Sequence, residues 1–146
     1  MIDRQLLPLA LLRASEEQNI RGRTRLQKMV FLIQQQFGDT DELPGEYSYI
    51  PYDYGPFAKK LYDDLDFLEE RGVITENRVT MDDKVVYYYS LGQNADEYLN
   101  NWSSDEVDRV LDMAEHIKDQ FNEVPLPSLL DYVYSEYPEY AENSVL

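Results

Sequence analysis

The stretch Arg78-Val79-Thr80-Met81-Asp82-Asp83-Lys84-Val85-Val86-Tyr87-Tyr88-Tyr89-Ser90 reads as a β-hairpin. Residues 78 to 81 and 84 to 90 are the strands, rich in β-branched and aromatic side chains, and Asp82-Asp83 is the two-residue turn. A period of two then places Val85, Tyr87 and Tyr89 on one face. Just upstream, Val73-Ile74 enters extended chain after Arg71-Gly72, which closes a helix carrying Phe57, Leu61, Leu65 and Leu68 on one side. Pro56 suits the first position of that helix, because a helix start needs no N–H there. Before it stand the turn Tyr52-Asp53-Tyr54-Gly55-Pro56 and a short extended stretch, Glu46-Tyr47-Ser48-Tyr49-Ile50, stopped by Pro51.

Further back, Thr24 with Gln27 forms a capping-box pattern. The helix it opens shows Leu26, Met29, Val30, Ile33 and Phe37 at helical spacing and is closed by Gly38. Residues 3 to 13 read as a first helix with an apolar stripe of Leu6, Leu7, Ala10 and Leu11, followed by a polar break from Glu16 to Asn19. Downstream of the hairpin, residues 93 to 100 are helical. Ser103 with Glu106 caps a longer helix whose Val107, Val110, Leu111, Ala114, Ile117 and Phe121 make the clearest amphipathic pattern in the chain. Pro125 and Pro127 break it, and a last helix over 128 to 136 ends at Pro138.

Three helices followed by a hairpin outline a winged helix, an elaboration of helix-turn-helix. The expected fold is therefore α+β, mainly α: a winged-helix-like core over residues 1 to 91 and a helical C-terminal extension over 92 to 146, in a single domain. The third helix would be the recognition helix and the hairpin the wing.

The 146 residues carry 13 Lys and Arg against 29 Asp and Glu, a net charge of −16. Residues 1 to 38 run against that trend, with six bases and three acids. An acidic surface repels phosphate backbones, and it also suits a salt-rich cytoplasm in which surface charge is screened. With no cysteine, thiol catalysis, zinc–thiolate sites and a disulfide-stapled scaffold are excluded. No apolar run approaches the length of a membrane span, and Met1-Ile2-Asp3-Arg4-Gln5 does not resemble a signal peptide, so the expected location is the cytoplasm, with no membrane partner.

Candidate chemistry is sparse. His116 lies four residues after Asp112 on one helix face, but two ligands do not close a metal site. Asp39-Thr40-Asp41 opens like a calcium loop, yet Leu43, Pro44 and Ile50 occupy positions that need a ligand, a glycine and a bidentate Glu. There is no phosphate loop, no nucleophile elbow and a single histidine, so neither a catalytic residue nor a cofactor is expected.

Two surfaces remain. Arg21, Arg25 and Lys28 share one face at the start of the second helix, with Arg23 nearby; these four are the candidate nucleic-acid contacts of a transcriptional regulator, and a homodimer is compatible with that reading. A structural reading instead pairs them with acids elsewhere in the fold. The third helix bears Asp63, Asp64, Asp66, Glu69 and Glu70 against Lys59 and Lys60, which opposes a DNA groove and suits a basic protein partner. Tyr47, Tyr49, Tyr52 and Tyr54 cluster before Gly55-Pro56, and tyrosine serves interfaces and half-buried sheets alike. Tyr52, Tyr54, Asp63, Asp64 and Asp66 are the candidate partner-binding residues.

Three stretches together carry a family resemblance: Arg23-Thr24-Arg25-Leu26-Gln27-Lys28-Met29-Val30-Phe31-Leu32, Tyr52-Asp53-Tyr54-Gly55-Pro56-Phe57 with Leu61, and Leu129-Leu130-Asp131-Tyr132-Val133-Tyr134 running to Tyr137-Pro138. From about residue 3 to 144 the chain resembles the SocA-like Panacea antitoxin superfamily, and more closely its YwgA-like relatives. The resemblance implies a non-enzymatic regulatory module that acts by binding a partner protein, a co-encoded toxin in the antitoxin members. It also implies that Leu26, Gly55, Pro56 and Leu61 are determinants of the fold.

Overall fold

The second helix is buried along most of its length, and the other elements are arranged around it. The computed structural model describes residues 2 to 15 and 19 to 141. It contains helices α1 (Leu6–Arg13), α2 (Arg23–Phe37), α3 (Lys59–Glu70), α4 (Ala95–Leu99), α5 (Ser104–Phe121) and α6 (Leu126–Glu136). Its strands are β1 (Asn19–Arg21), β2 (Ile50–Tyr52), β3 (Gly55–Phe57), β4 (Ile74–Met81) and β5 (Lys84–Leu91). Among the described residues the architecture is α+β, with 57% helix and 18% strand. One continuous apolar core takes side chains from α1, α2, α3, α5 and α6 and from the bases of β1, β4 and β5.

Helix α1 is apolar all round rather than striped. Every residue from Leu6 to Leu12 is buried, which removes the expected exposed face. Its C-terminal carbonyls face inward and need a donor; Lys118 of α5 supplies it, its Nζ donating to Ala14 O at 2.7 Å and to Leu12 O at 3.5 Å.

The expected capping box at Thr24 does not form. The N-cap of helix α2 lies two residues earlier, at Gly22, which adopts φ +88°, ψ 149°, a region open essentially to glycine alone. The cause is a strand absent from the sequence reading. Asn19 to Arg21 pair antiparallel with β5, Ile20 opposite Tyr89, and the Gly22 N–H donates to Tyr87 O at 2.8 Å, so the chain turns from sheet to helix in one residue. Asn19 thus belongs to a strand, while Glu16 and Glu17 of the expected polar break lie outside the described residues.

Two further expectations fail around Pro56. The stretch 46 to 49 forms no strand, and Pro51 lies inside β2 instead of stopping it. Pro56 sits in β3 opposite Pro51, and α3 begins only at Lys59. Antiparallel pairing holds this segment extended, and Lys28 Nζ donates to the Pro56 carbonyl at 3.0 Å. At the other helices the differences are small: α4 is confined to Ala95–Leu99, and α6 begins at Leu126, with Pro127 inside its first turn where no N–H is required. Ser103 caps α5 as expected, its hydroxyl accepting from Glu106 N.

The three-stranded sheet has the order β1-β5-β4. Register places Ile20, Ile74, Tyr89 and Tyr87 on the face that meets the helices at its base, while Asn19, Arg21 and Tyr88 share the other face. Asp82 and Asp83 form the turn with φ 49° and 65°, the left-handed pair that a two-residue hairpin requires. Because glycine adopts that conformation without strain, Asp83→Gly should raise stability by about 0.5–1 kcal/mol, read as a higher urea midpoint at unchanged slope.

Candidate functional site

The three motif stretches meet in space. Lys28 of the first holds the Pro56 carbonyl of the second, and Gly55 of the second lies against Tyr134 of the third. A Cβ on Gly55 would stand 3.0 Å from the Tyr134 ring at φ +92°, so both the conformation and the close approach demand glycine. Where they meet, the surface opens into a groove of about 550 Å³ lined by Thr24, Tyr54, Leu126, Pro127, Leu130, Asp131 and Tyr134.

Tyr54 lines this groove from the β2–β3 turn, and Tyr52 stands at the end of β2 two residues before it; they are 50% and 49% exposed, and Ile50 on the same ribbon is also exposed. Tyr52 stacks on Phe57 with centroids 5.0 Å apart, and Phe57 meets Tyr62 edge-on at 5.2 Å, so the aromatic surface is rigidly backed by α3. The neighbouring tyrosines serve the interior instead. Tyr47 is buried, the Tyr49 hydroxyl donates to Gln27 O at 2.9 Å, and Phe31 is ringed edge-on by Tyr49, Tyr137 and Tyr140.

The acids of α3 divide in the same way. Asp63 and Asp66 are exposed, bonded to Lys59 and Arg23 respectively. Asp64 is only 5% exposed: it accepts from the Arg4 Nε at 2.9 Å and from the Tyr47 hydroxyl at 2.7 Å. Burial, reinforced by the Asp64 charge, pushes the Tyr47 hydroxyl far above its ordinary range and keeps it a donor. Asp64 therefore fastens α3 to the N-terminal segment and does not belong to the surface that Asp63 and Asp66 present.

The four basic candidates do not share one face. Arg21 is exposed on the sheet. Arg23 lies between the sheet and α3, its Nε donating to the Tyr89 hydroxyl at 2.8 Å and its Nη2 to Asp66 at 2.7 Å. Burial opposes its charge, but the bonds to Asp66 and Tyr89 outweigh that and raise its pKa. Arg25 is buried, with Nη1 donating to Phe121 O at 2.7 Å. Lys28 is 3% exposed, and its bond to Pro56 O faces inward. Helix α2 has apolar residues around its whole circumference (Leu26, Met29, Val30, Phe31, Leu32 and Ile33), and that encirclement was the sequence signal for inward-facing cations.

His116 is exposed beside Gln120, and among the described residues no group of three or more potential ligands is placed to hold a metal ion. No helix among them is long and apolar enough to cross a membrane. Comparison with protein-family models and with curated proteins finds no match to this chain.

Burial lowers the Lys28 pKa from 10.5 to about 8. Between those values the unfolded chain binds more protons than the folded one, so stability rises with pH across this window, by up to about 3 kcal/mol. Tyrosine ionisation acts oppositely near the top of the window, but equally in a variant lacking the lysine. Denaturation of wild type and Lys28→Met at about pH 8 and about pH 10 should thus show wild type gaining on the variant as pH rises.

Proposed function

We propose that the chain is a non-catalytic regulatory module, antitoxin-like, that binds a partner protein in the cytoplasm through the Tyr52–Tyr54 turn and the groove beside it. The observation that carries this reading is the convergence of the three motif stretches on that groove: Thr24, Tyr54, Leu130, Asp131 and Tyr134 all line it. Exposed tyrosines backed by a packed aromatic layer have the character of interface anchors, offering large contact area at low entropic cost. Asp63 and Asp66 give the adjoining helix a negative surface suited to a basic partner.

A winged-helix-like core with a helical extension is part of the proposal. It is supported by the order α1, β1, α2, α3, β4, β5 and by the pairing of the first of these strands with the last. The same architecture serves DNA-binding regulators, but that reading draws less support: Arg25 and Lys28 are bonded to backbone carbonyls inside the fold, and Arg23 is held by Asp66.

The test is a tagged pull-down of the full chain from its native host at the host's ionic strength, comparing wild type, Tyr52→Ser with Tyr54→Ser, and Asp63→Lys with Asp66→Lys. Bound proteins are identified by mass spectrometry and bound DNA is sequenced. One stoichiometric protein is expected with wild type, falling at least roughly tenfold with the tyrosine pair replaced. Undiminished recovery by that variant, or discrete DNA sites in place of a protein, would overturn the reading.

A further inference from the structure

Arg21 and Arg25 face a second opening, next to the tyrosine groove but distinct from it. A cleft of about 720 Å³ separates the outer face of the sheet, which contributes Arg21 and Tyr88, from the segment after α5, which contributes Asn122 and Glu123. Arg25 lines it from α2 and is 7% exposed. In a chain with 29 acids and 13 Lys and Arg, neither arginine has a carboxylate within ion-pair distance among the described residues. Glu123 favours the Arg25 charge from a distance without pairing with it, while burial and the charge of Arg21 both disfavour it.

Two of its lining residues carry a buried polar atom without a partner. Arg25 Nε has no acceptor and Asn122 Oδ1 no donor, although each residue uses its other groups: Arg25 Nη1 donates to Phe121 O, and Asn122 Nδ2 to Asn19 O. Leaving a desolvated guanidinium and an amide oxygen short of partners costs stability. A desolvated, unpaired arginine beside a second one is the arrangement that recognises an oxyanion, and the fork of a guanidinium matches a carboxylate or phosphate.

We propose that this cleft binds a small organic anion, whose carboxylate or phosphate lies between Arg21 and Arg25 and whose hydrogen-bond donor meets Asn122. Its volume is that of a small-molecule site. Val124 and Leu126 line the cleft beside its polar groups, so part of the ligand beyond the anionic group meets apolar side chains. Glu123 on the rim disfavours ligands of high charge density and sets the net charge of the cleft at one positive unit.

Nuclear magnetic resonance titration of the full chain tests this, following the Arg25 Nε–H and the Asn122 side-chain amide. The probes are inorganic phosphate and butyrate, with chloride at matched ionic strength as control. Saturable shifts of both signals are expected with one or both probes and not with chloride. Saturation by phosphate alone assigns a phosphorylated ligand, and by butyrate alone a carboxylate. Arg21 is exposed, so Arg21→Gln should keep the rest of the spectrum and weaken binding by roughly tenfold. Glu123→Gln, also at an exposed position, should tighten it. Shifts that grow linearly, that chloride reproduces, or that neither substitution changes would overturn the proposal.

Discussion

The structure depends on buried cations that bond to backbone carbonyls of neighbouring elements. Lys28 holds Pro56 O, Arg25 holds Phe121 O, and Lys118 holds Ala14 O at the end of α1. Phe121 O and Ala14 O lie where α5 and α1 end, and Pro56 stands opposite Pro51, which has no N–H to give; an orphaned carbonyl at any of them would be costly. A charged donor bonds such a group more strongly than a neutral one, which offsets part of the cost of burying the ammonium or guanidinium. In this way α2 ties the β2–β3 ribbon and the end of α5 to itself, and α5 ties down α1.

That arrangement determines where the surface features lie. With Lys28 on its carbonyl, the β2–β3 ribbon is held so that Gly55 meets Tyr134, and Tyr52 and Tyr54 project beside the groove along α6. With Arg25 anchored at the end of α5, its side chain takes part in lining the cleft on the outer face of the sheet. Leu126 lines both openings, so the proposed partner surface and the proposed anion site are neighbours on one side of the molecule. Cations spent on internal carbonyls leave an exterior that is predominantly acidic, consistent with the net charge of −16.

Much of this was legible in the residues. The hairpin could be read because its turn and its alternation are both local signals, and α5 because Ser103 and a six-residue apolar stripe mark its start and its buried face. Strand β1 could not: it is three residues long and its partner Tyr89 lies far along the chain, a pairing that no local periodicity reports. Pro56 misled for a related reason, since a proline suits a helix start or an extended ribbon equally, and only the pairing with Pro51 decides between them. Asp64 was visible in principle. It lies three residues after Leu61 and four before Leu68, on the buried face of α3, where an acid must find partners; Arg4 and Tyr47 provide them. For the basic cluster, helical spacing alone was a poor guide, because spacing says which residues share a face but not whether that face meets water.

Lysine reactivity tests the central constraint most directly. The chain has five lysines, three of them, Lys59, Lys60 and Lys84, exposed, and two, Lys28 and Lys118, buried against carbonyls. Brief acylation of the native protein with an amine-reactive ester, mapped by mass spectrometry, should label the first three and spare the other two until denaturant is added. Labelling of Lys28 at the rate of Lys59 in the folded protein would contradict the account.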